Sequence, residues 1–121
     1  VERHTDKEIT YVASEREKLP SLPTVVLTND ETASASEIVT SALRFYDKAT
    51  VIGTKTYGKG TGQSLVNFQD GSGLKFTTFE WIPPDGVNID KIGITPDIIQ
   101  EQSSNGDQQL ERAQRFIQLG Y

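Results

Sequence analysis

Two short β-branched runs, TVVLT at 24–28 and ATVIG at 49–53, bracket one amphipathic segment, and this arrangement constrains the fold more than any other feature of the chain. Pro23 precedes the first run, and Asn29 and Asp30 close it, which is the pattern of a buried strand. Between the runs, Ile38, Val39, Ala42, Leu43 and Tyr46 recur at helical spacing, predicting a helix over 34–47 with those residues on its buried face. Strand, helix and strand in so short a stretch predict a βαβ crossover with parallel strands. The fold class is α/β.

The flanking sequence adds smaller elements. ITYVA at 9–13 alternates as an edge strand does, and SEREKLPSLP at 14–23 reads as a surface loop because it is charged and ends in two prolines. SLVNF and LKFTTFEWI lie on either side of QDGSG, predicting an antiparallel hairpin with Asp70 and Gly71 in its turn. PPDG at 83–86 ends the second hairpin strand. GITPDII at 93–99 reads as extended, but Pro96 keeps it from a central, fully paired position. After the polar linker QEQSSNG, DQQLERAQRFIQLGY predicts a closing helix, with Asp107 as its cap and Leu110, Ala113, Phe116 and Ile117 as its buried face.

With 121 residues the chain suits one domain or part of one, and roughly 65% of its unfolded surface is buried on folding at that size. A formal charge of −5 argues against nucleic acid or an anionic membrane surface as a partner, since both require clustered Lys and Arg. No apolar run approaches the ~18 residues of a membrane span, and the amino end lacks the apolar core of a signal peptide. The absence of cysteine excludes disulfides, thiolate metal sites and cysteine nucleophiles. Methionine is absent even from position 1, so the chain is expected to be a processed or excised piece of a longer one.

Two stretches carry chemistry. In ETASASEIVT, Ser34 and Glu37 match a capping box, in which a hydroxyl accepts from a helix amide and the acid reaches back. Thr32 and Ser36 are further capping candidates, and on pattern alone capping is the stronger reading. The alternative is a nucleophile, because a serine on a strand-to-helix turn presents its hydroxyl where the following amides and the helix dipole favour negative charge. An activated serine needs a base. The only histidine, His4, lies at the amino end and is expected to be frayed. A Ser–His–Asp triad within the chain is therefore not expected, leaving a carboxylate, an uncharged lysine or a group outside the chain.

The second stretch is GTKTYGKGTGQ at 53–63. It approaches the P-loop pattern, with Gly53, Gly58 and Lys59 in register. Gly60, however, stands where the magnesium-binding hydroxyl belongs, and the next residues read as a strand and not a helix. An exposed glycine-rich loop is the plain reading, while Gly58 and Gly60 beside Lys59 also suit a backbone that approaches another segment closely. Lys55 and Lys59 both remain candidates for a basic role.

Taken together, these stretches closely resemble the carboxy-terminal processing, or tail-specific, proteases, which are serine endopeptidases with a serine–lysine dyad on a crotonase-like α/β core. TVVLTNDETASASEIVTSAL resembles the family's nucleophile segment, ATVIGTKTYGKGTGQSLVNFQDGSGLKFTTFEWIPPDG its lysine segment and hairpin, and GITPDI its closing motif. The resemblance spans 23–99 and implies Ser34 as nucleophile, Lys59 as general base in preference to Lys55, and Gln63 as the residue orienting the lysine amine. It further implies that the Ala35 amide lends one donor to the oxyanion hole, that Thr32 and Ser36 serve only in capping, and that Glu37 does helix-dipole and local hydrogen-bond work. NDETA departs from the family's usual glycines and serines, which implies a stiffer or differently shaped turn.

By the same resemblance, residues 1–121 form the carboxy-terminal part of a protease catalytic core. The second oxyanion donor and a PDZ domain are expected upstream, so the piece alone is expected to be inactive. No metal or cofactor is required. Implied partners are protein substrates with disordered carboxyl termini and the parent's PDZ domain, with a homo-oligomer allowed. The implied location is extracytoplasmic, in an exported or membrane-tethered bacterial parent. The alternative is a non-catalytic ligand- or peptide-binding module on the same scaffold, which would have no reason to keep Ser34, Lys59 and Gln63 together.

Overall fold

The computed structural model describes residues 1–12, 22–104 and 106–120. The elements run β1 (Glu2–Arg3), β2 (Glu8–Ile9), β3 (Val25–Thr28), α1 (Ala35–Phe45), β4 (Thr50–Gly53), β5 (Thr61–Asn67), β6 (Gly73–Trp81), β7 (Ile98–Ile99) and α2 (Gln108–Leu119). They form two sheets, a parallel one in the order β3-β4-β7 and an antiparallel one in the order β2-β1-β6-β5. The fold is mixed α/β.

The parallel sheet follows from the β-branched runs. β4 lies at its centre, with Val51 and Ile52 both 0% exposed, and each such side chain contributes about 1.5–3 kcal/mol when fully buried. The predicted βαβ unit is present, with Val25 to Thr28 of β3 registered against Thr50 to Gly53 of β4. β3 is nevertheless the outer strand and not a buried one. Leu27 is 37% exposed, and Thr28 alone in β3 is buried. β7 is short and pairs with β4 only, directly after Pro96, as a strand limited by proline should be.

Asp97, in the same GITPDI stretch, closes the parallel sheet from its end. Its Oδ2 accepts from Val51 N–H at 2.9 Å, and its Oδ1 lies 2.8 Å from Nε of Arg44 in the last turn of α1. α2 packs against β3 and β4. It starts at Asp107, whose carboxylate accepts from Leu110 N–H at 2.9 Å, as the sequence predicts.

Both helices bury residues beyond those expected, although Ala113 of α2 is buried as expected. In α1 the buried residues are Glu37, Thr40 and Ser41, while Val39 is 57% exposed and Tyr46 is also exposed. Apolar periodicity finds Ile38, Ala42 and Leu43, which are half-buried, but it is blind to buried polar residues whose hydrogen bonds are met within the helix, as for Thr40 and Ser41, or by a loop, as for Glu37. In α2 the buried residues are Gln109 and Ala113, with Phe116 half-buried and Leu110 and Ile117 exposed.

The antiparallel sheet contains the predicted hairpin, β5 against β6, with Leu65 opposite Lys75 and Asn67 opposite Gly73. Gly71, at φ 84°, and a bond from Phe68 N–H to Ser72 O at 2.8 Å close its turn. The chain's first residues join this sheet. β1 pairs with β6 and β2 with β1, so the expected strand at 9–13 is confined to Glu8–Ile9 as far as the described residues go. The loop expected at 14–23 lies outside the described residues up to position 21. His4 is not frayed, because its N–H donates to Lys7 O at 2.8 Å and its ring packs on Phe79 with centroids 5.4 Å apart. Its Nε2 lies 3.4 Å from Glu2 Oε2. The single histidine is committed to this sheet.

Candidate active site

β3 ends at Thr28, and the chain then turns sharply before α1. The turn contains no glycine; instead the Asn29 side chain closes it. Asn29 Oδ1 accepts from the amides of Glu31 and Thr32, each at 3.1 Å, and from the Thr32 hydroxyl at 3.2 Å. Thr32 therefore belongs to the turn and not to the helix cap. Ser36 lies inside the helix, where its carbonyl accepts from the Thr40 hydroxyl at 2.7 Å.

The N-cap is Ser34, and its backbone is unusual, with φ 56° and ψ −120°. Ordinary N-caps occupy the β region. A positive φ is uncommon outside glycine, and a side chain held in such a sparsely populated region costs about 1–3 kcal/mol. A serine that merely started a helix would have no need of this conformation. The same geometry, a strained strand-to-helix corner, is what lifts a nucleophilic hydroxyl clear of the backbone. Ala35 follows as the first helical residue, and amides in that position have no partner within the helix.

The lysine loop, residues 54–60, runs from β4 to β5 and is fixed by its main chain. Thr54 N–H donates to Thr28 O at 2.9 Å, Tyr57 N–H to Thr32 O at 3.0 Å, and Thr56 N–H to Ile94 O at 3.1 Å. The two glycines flanking Lys59 are close-approach positions, as their sequence context suggests. Gly58 has φ 88°, and a Cβ on it would lie 2.8 Å from Gly93 N; a Cβ on Gly60 would lie 2.6 Å from Asp90 N. After Gly60 the chain enters β5 directly, so the helix required by a P-loop does not follow.

Glu37 joins the serine turn to this loop. It is 0% exposed. Its Oε2 accepts from Ser34 N–H at 3.0 Å and from Lys59 N–H at 2.8 Å; its Oε1 accepts from Gly58 N–H at 2.7 Å and from the Thr56 hydroxyl at 2.5 Å. The capping-box half that Glu37 supplies is therefore present. Its larger role, bonding backbone amides 21 and 22 residues away, escapes sequence reasoning because such amides carry no residue signature. The Gly–Lys–Gly context was the available hint.

Of the predicted site residues, Ser34 and Lys59 are brought together around Glu37 through their backbone amides, and Ala35 follows Ser34 in the chain. The Lys59 and Lys55 side chains are both exposed. Gln63 lies further on, in β5 immediately after an irregularity at Gly62–Gln63, opposite Thr77 and exposed. An open groove of about 440 Å³, lined by Val26, Leu27, Thr32, Ala35, Ser36, Val39 and Thr40, adjoins the helix start. A more enclosed cavity of about 440 Å³ lies further along α1, between Ser41, Arg44 and residues 85–95. Arg44 there is already engaged by Asp97 and by Thr95 O at 3.0 Å.

This arrangement, a strained serine at a strand-to-helix corner with a lysine loop fixed beside it, coincides with a family assignment. A model of peptidase family S41 matches residues 1–100, and the chain belongs to that family. Over 73 residues the chain is 51% identical to a probable CtpA-like serine protease of Staphylococcus aureus, a match covering 60% of this chain and 15% of that protein. The counterpart in Staphylococcus haemolyticus is 51% identical over 72 residues, covering 60% of this chain and 14% of that protein. Among solved structures, the photosystem II D1 C-terminal processing protease aligns with a TM-score of 0.63 at 39% identity, over 78% of this chain and 24% of that one. Mature CPAF aligns with a TM-score of 0.66 at 25% identity, over 83% of this chain and 20% of that one. The chain thus spans 15% of the length of the first of these curated relatives.

Proposed function

We propose that the chain supplies the nucleophile and the general base of a serine endopeptidase that cuts proteins near their carboxyl termini. The observation that carries this reading is the strained corner at Ser34 joined through Glu37 to the Lys59 backbone. In the proposed reaction the uncharged Lys59 amine takes the Ser34 proton as the serine oxygen attacks the scissile carbonyl. The Ala35 amide holds the oxyanion together with a second donor from the rest of the protein. Lysine returns the proton to the leaving amine, and then activates the water that hydrolyses the acyl-enzyme. Gln63 orients the amine.

In the same reading residues 1–121 are the carboxy-terminal part of a crotonase-like catalytic core, and the parent protein adds the upstream oxyanion loop and a PDZ domain. The parent is bacterial and extracytoplasmic. The edge of β5, unpaired among the described residues, is suited to main-chain pairing with an extended substrate. Family membership and the name of the D1 C-terminal processing protease support the class of reaction and the choice of substrate end.

The test uses the full-length parent acting on an unfolded protein. Ser34→Ala and Lys59→Ala are each expected to lower cleavage by at least about a thousandfold, whereas Lys55→Ala leaves it intact. Near-parental cleavage by Lys59→Ala sinks the assignment of the base. A parent that binds peptides without cutting them supports the binding-module alternative.

A further inference from the structure

We propose that Glu37 is the positioning residue of this site: its buried carboxylate holds the serine turn and the lysine loop in register, and Thr56 extends that hold to the segment around Ile94. The inference rests on the serine–lysine reading above.

A carboxylate that only completed a capping box would sit at the surface and bond its own N-cap. Glu37 is fully buried and sends three of its four hydrogen bonds into residues 56–59. All four partners are donors, one hydroxyl and three backbone amides. None is a cation. Burying a carboxylate is costly before its partners are counted, and an apolar side chain would pack α1 on a loop without that cost. What an apolar residue does not supply is direction. Two oxygens with four acceptor positions fix three amides from two separate segments around a single point.

Thr56 lengthens the chain of contacts. Its hydroxyl donates to Glu37 Oε1 and accepts from Ile94 N–H at 2.7 Å, while its own N–H donates to Ile94 O. The serine turn, the lysine loop and the Ile94 segment are thereby linked through two side chains. Ser34, with its positive φ, gains such support from its amide bond to Glu37, which is of the charge-assisted kind.

The chemistry of the anchor defines the test. Glutamine at 37 replaces one oxygen with an NH2 that must face N–H or O–H donors, so shape is kept and the acceptor pattern is lost. Valine at 56 removes the relay, and serine at 56 restores it. In the full-length parent, Glu37→Gln is expected to lower kcat about 100-fold, the effect of misplacing reacting groups by about 1 Å. Thr56→Val is expected to lower kcat about tenfold, the equivalent of one hydrogen bond to a charged group, and Thr56→Ser to recover most of that loss. KM stays within about threefold of the parent in all three, since substrate capture elsewhere is untouched.

Hydrogen exchange supplies a readout independent of turnover. The Gly58 and Lys59 amides exchange slowly in the parent and in Ser34→Ala, and about tenfold faster in Thr56→Val. A folded Glu37→Gln with kcat within about threefold of the parent overturns the proposal. Should Glu37→Gln fail to fold, Thr56→Val decides: full activity with unchanged exchange at 58 and 59 overturns it. Loss of activity in Thr56→Val that serine does not recover also overturns it. If Ser34→Ala retains cleavage, the dyad reading fails instead, and the exchange data still judge the register.

Discussion

The backbone amides of Ser34 and Lys59 donate to the same atom, Oε2 of Glu37, at 3.0 and 2.8 Å. Their nitrogens are therefore no further apart than those two bonds laid end to end. The nucleophile candidate and the base candidate belong to different connections, one following β3 and the other following β4, yet a single oxygen fixes both. Parallel pairing of β3 with β4 makes this possible, because it brings the carboxyl ends of both strands to the same edge of the sheet.

Ser34 occupies a glycine-type conformation, which separates stability from function at that position. Ser34→Gly is expected to be more stable than Ser34→Ala by about 1 kcal/mol, because glycine relieves the strain and alanine keeps it. Both should be inactive. Denaturant unfolding of the two full-length variants checks the order, and equal stability would contradict the strain.

The glycines of the loops differ in what surrounds them. At Gly58 and Gly60 a Cβ would meet the backbone of residues 90 and 93 within 2.8 Å, whereas at Gly71, with φ 84°, nothing lies within 4 Å. Gly58→Ala and Gly60→Ala should each destabilise by more than about 2 kcal/mol and disturb cleavage through Lys59, because backbone must move. Gly71→Ala should cost about 1 kcal/mol and leave kcat unchanged. Thermal unfolding with parallel turnover assays distinguishes the two sets.

Asp97 ranks two interactions that look alike in a contact diagram. Its partner Arg44 is 44% exposed at the side chain, while its other partner is the main-chain amide of fully buried Val51. Arg44→Met should therefore cost less than about 1 kcal/mol, as exposed ion pairs do. Asp97→Ala should cost about 1–3 kcal/mol, because a buried amide loses its acceptor. An Arg44→Met cost equal to that of Asp97→Ala, measured by urea unfolding, would reverse the ranking.

Asp107 gives α2 an acid-sensitive start. The Leu110 amide, followed by the Gln102 side chain, holds its carboxyl below the ordinary aspartate value of 3.8. A depressed folded-state pKa means that the stabilisation is present at neutral pH and is lost as pH falls below 3.8 through the folded value. Amide exchange in the first turn of α2 should therefore accelerate on acidification, and in Asp107→Asn this acid limb should flatten. An identical acid limb in both proteins would remove Asp107 from the account.

The sequence makes the major elements legible where the signal is local. β-branched runs mark β3 and β4, the QDGSG turn marks the hairpin, and Asp107 marks the start of α2. β1 is not legible, because Glu2 and Arg3 are charged and owe their strand to pairing with Trp81 and Glu80 far along the chain. The buried face of α1 is also hidden. Hydrophobic spacing points to Val39 and Tyr46, but the buried side chains are Glu37, which accepts from N–H groups of the lysine loop, and Thr40 and Ser41, whose hydroxyls donate to carbonyls of their own helix. At the site, the serine corner and the lysine loop are each visible as patterns, and the resemblance joins them. The physical join, a carboxylate accepting from main-chain amides, leaves no trace in residue types beyond the glycines that make room for it.

The loop bearing position 59 is moored by its peptide groups, so the side chain there contributes nothing to the mooring. In the proposed reaction, exchanging that amine would rewrite the reactivity of the molecule and leave its architecture standing. Under the proposed mechanism, a lineage built on this frame has a short route from cutting polypeptides to merely gripping them, since one codon at 59 would retire the reaction while the cradle persists.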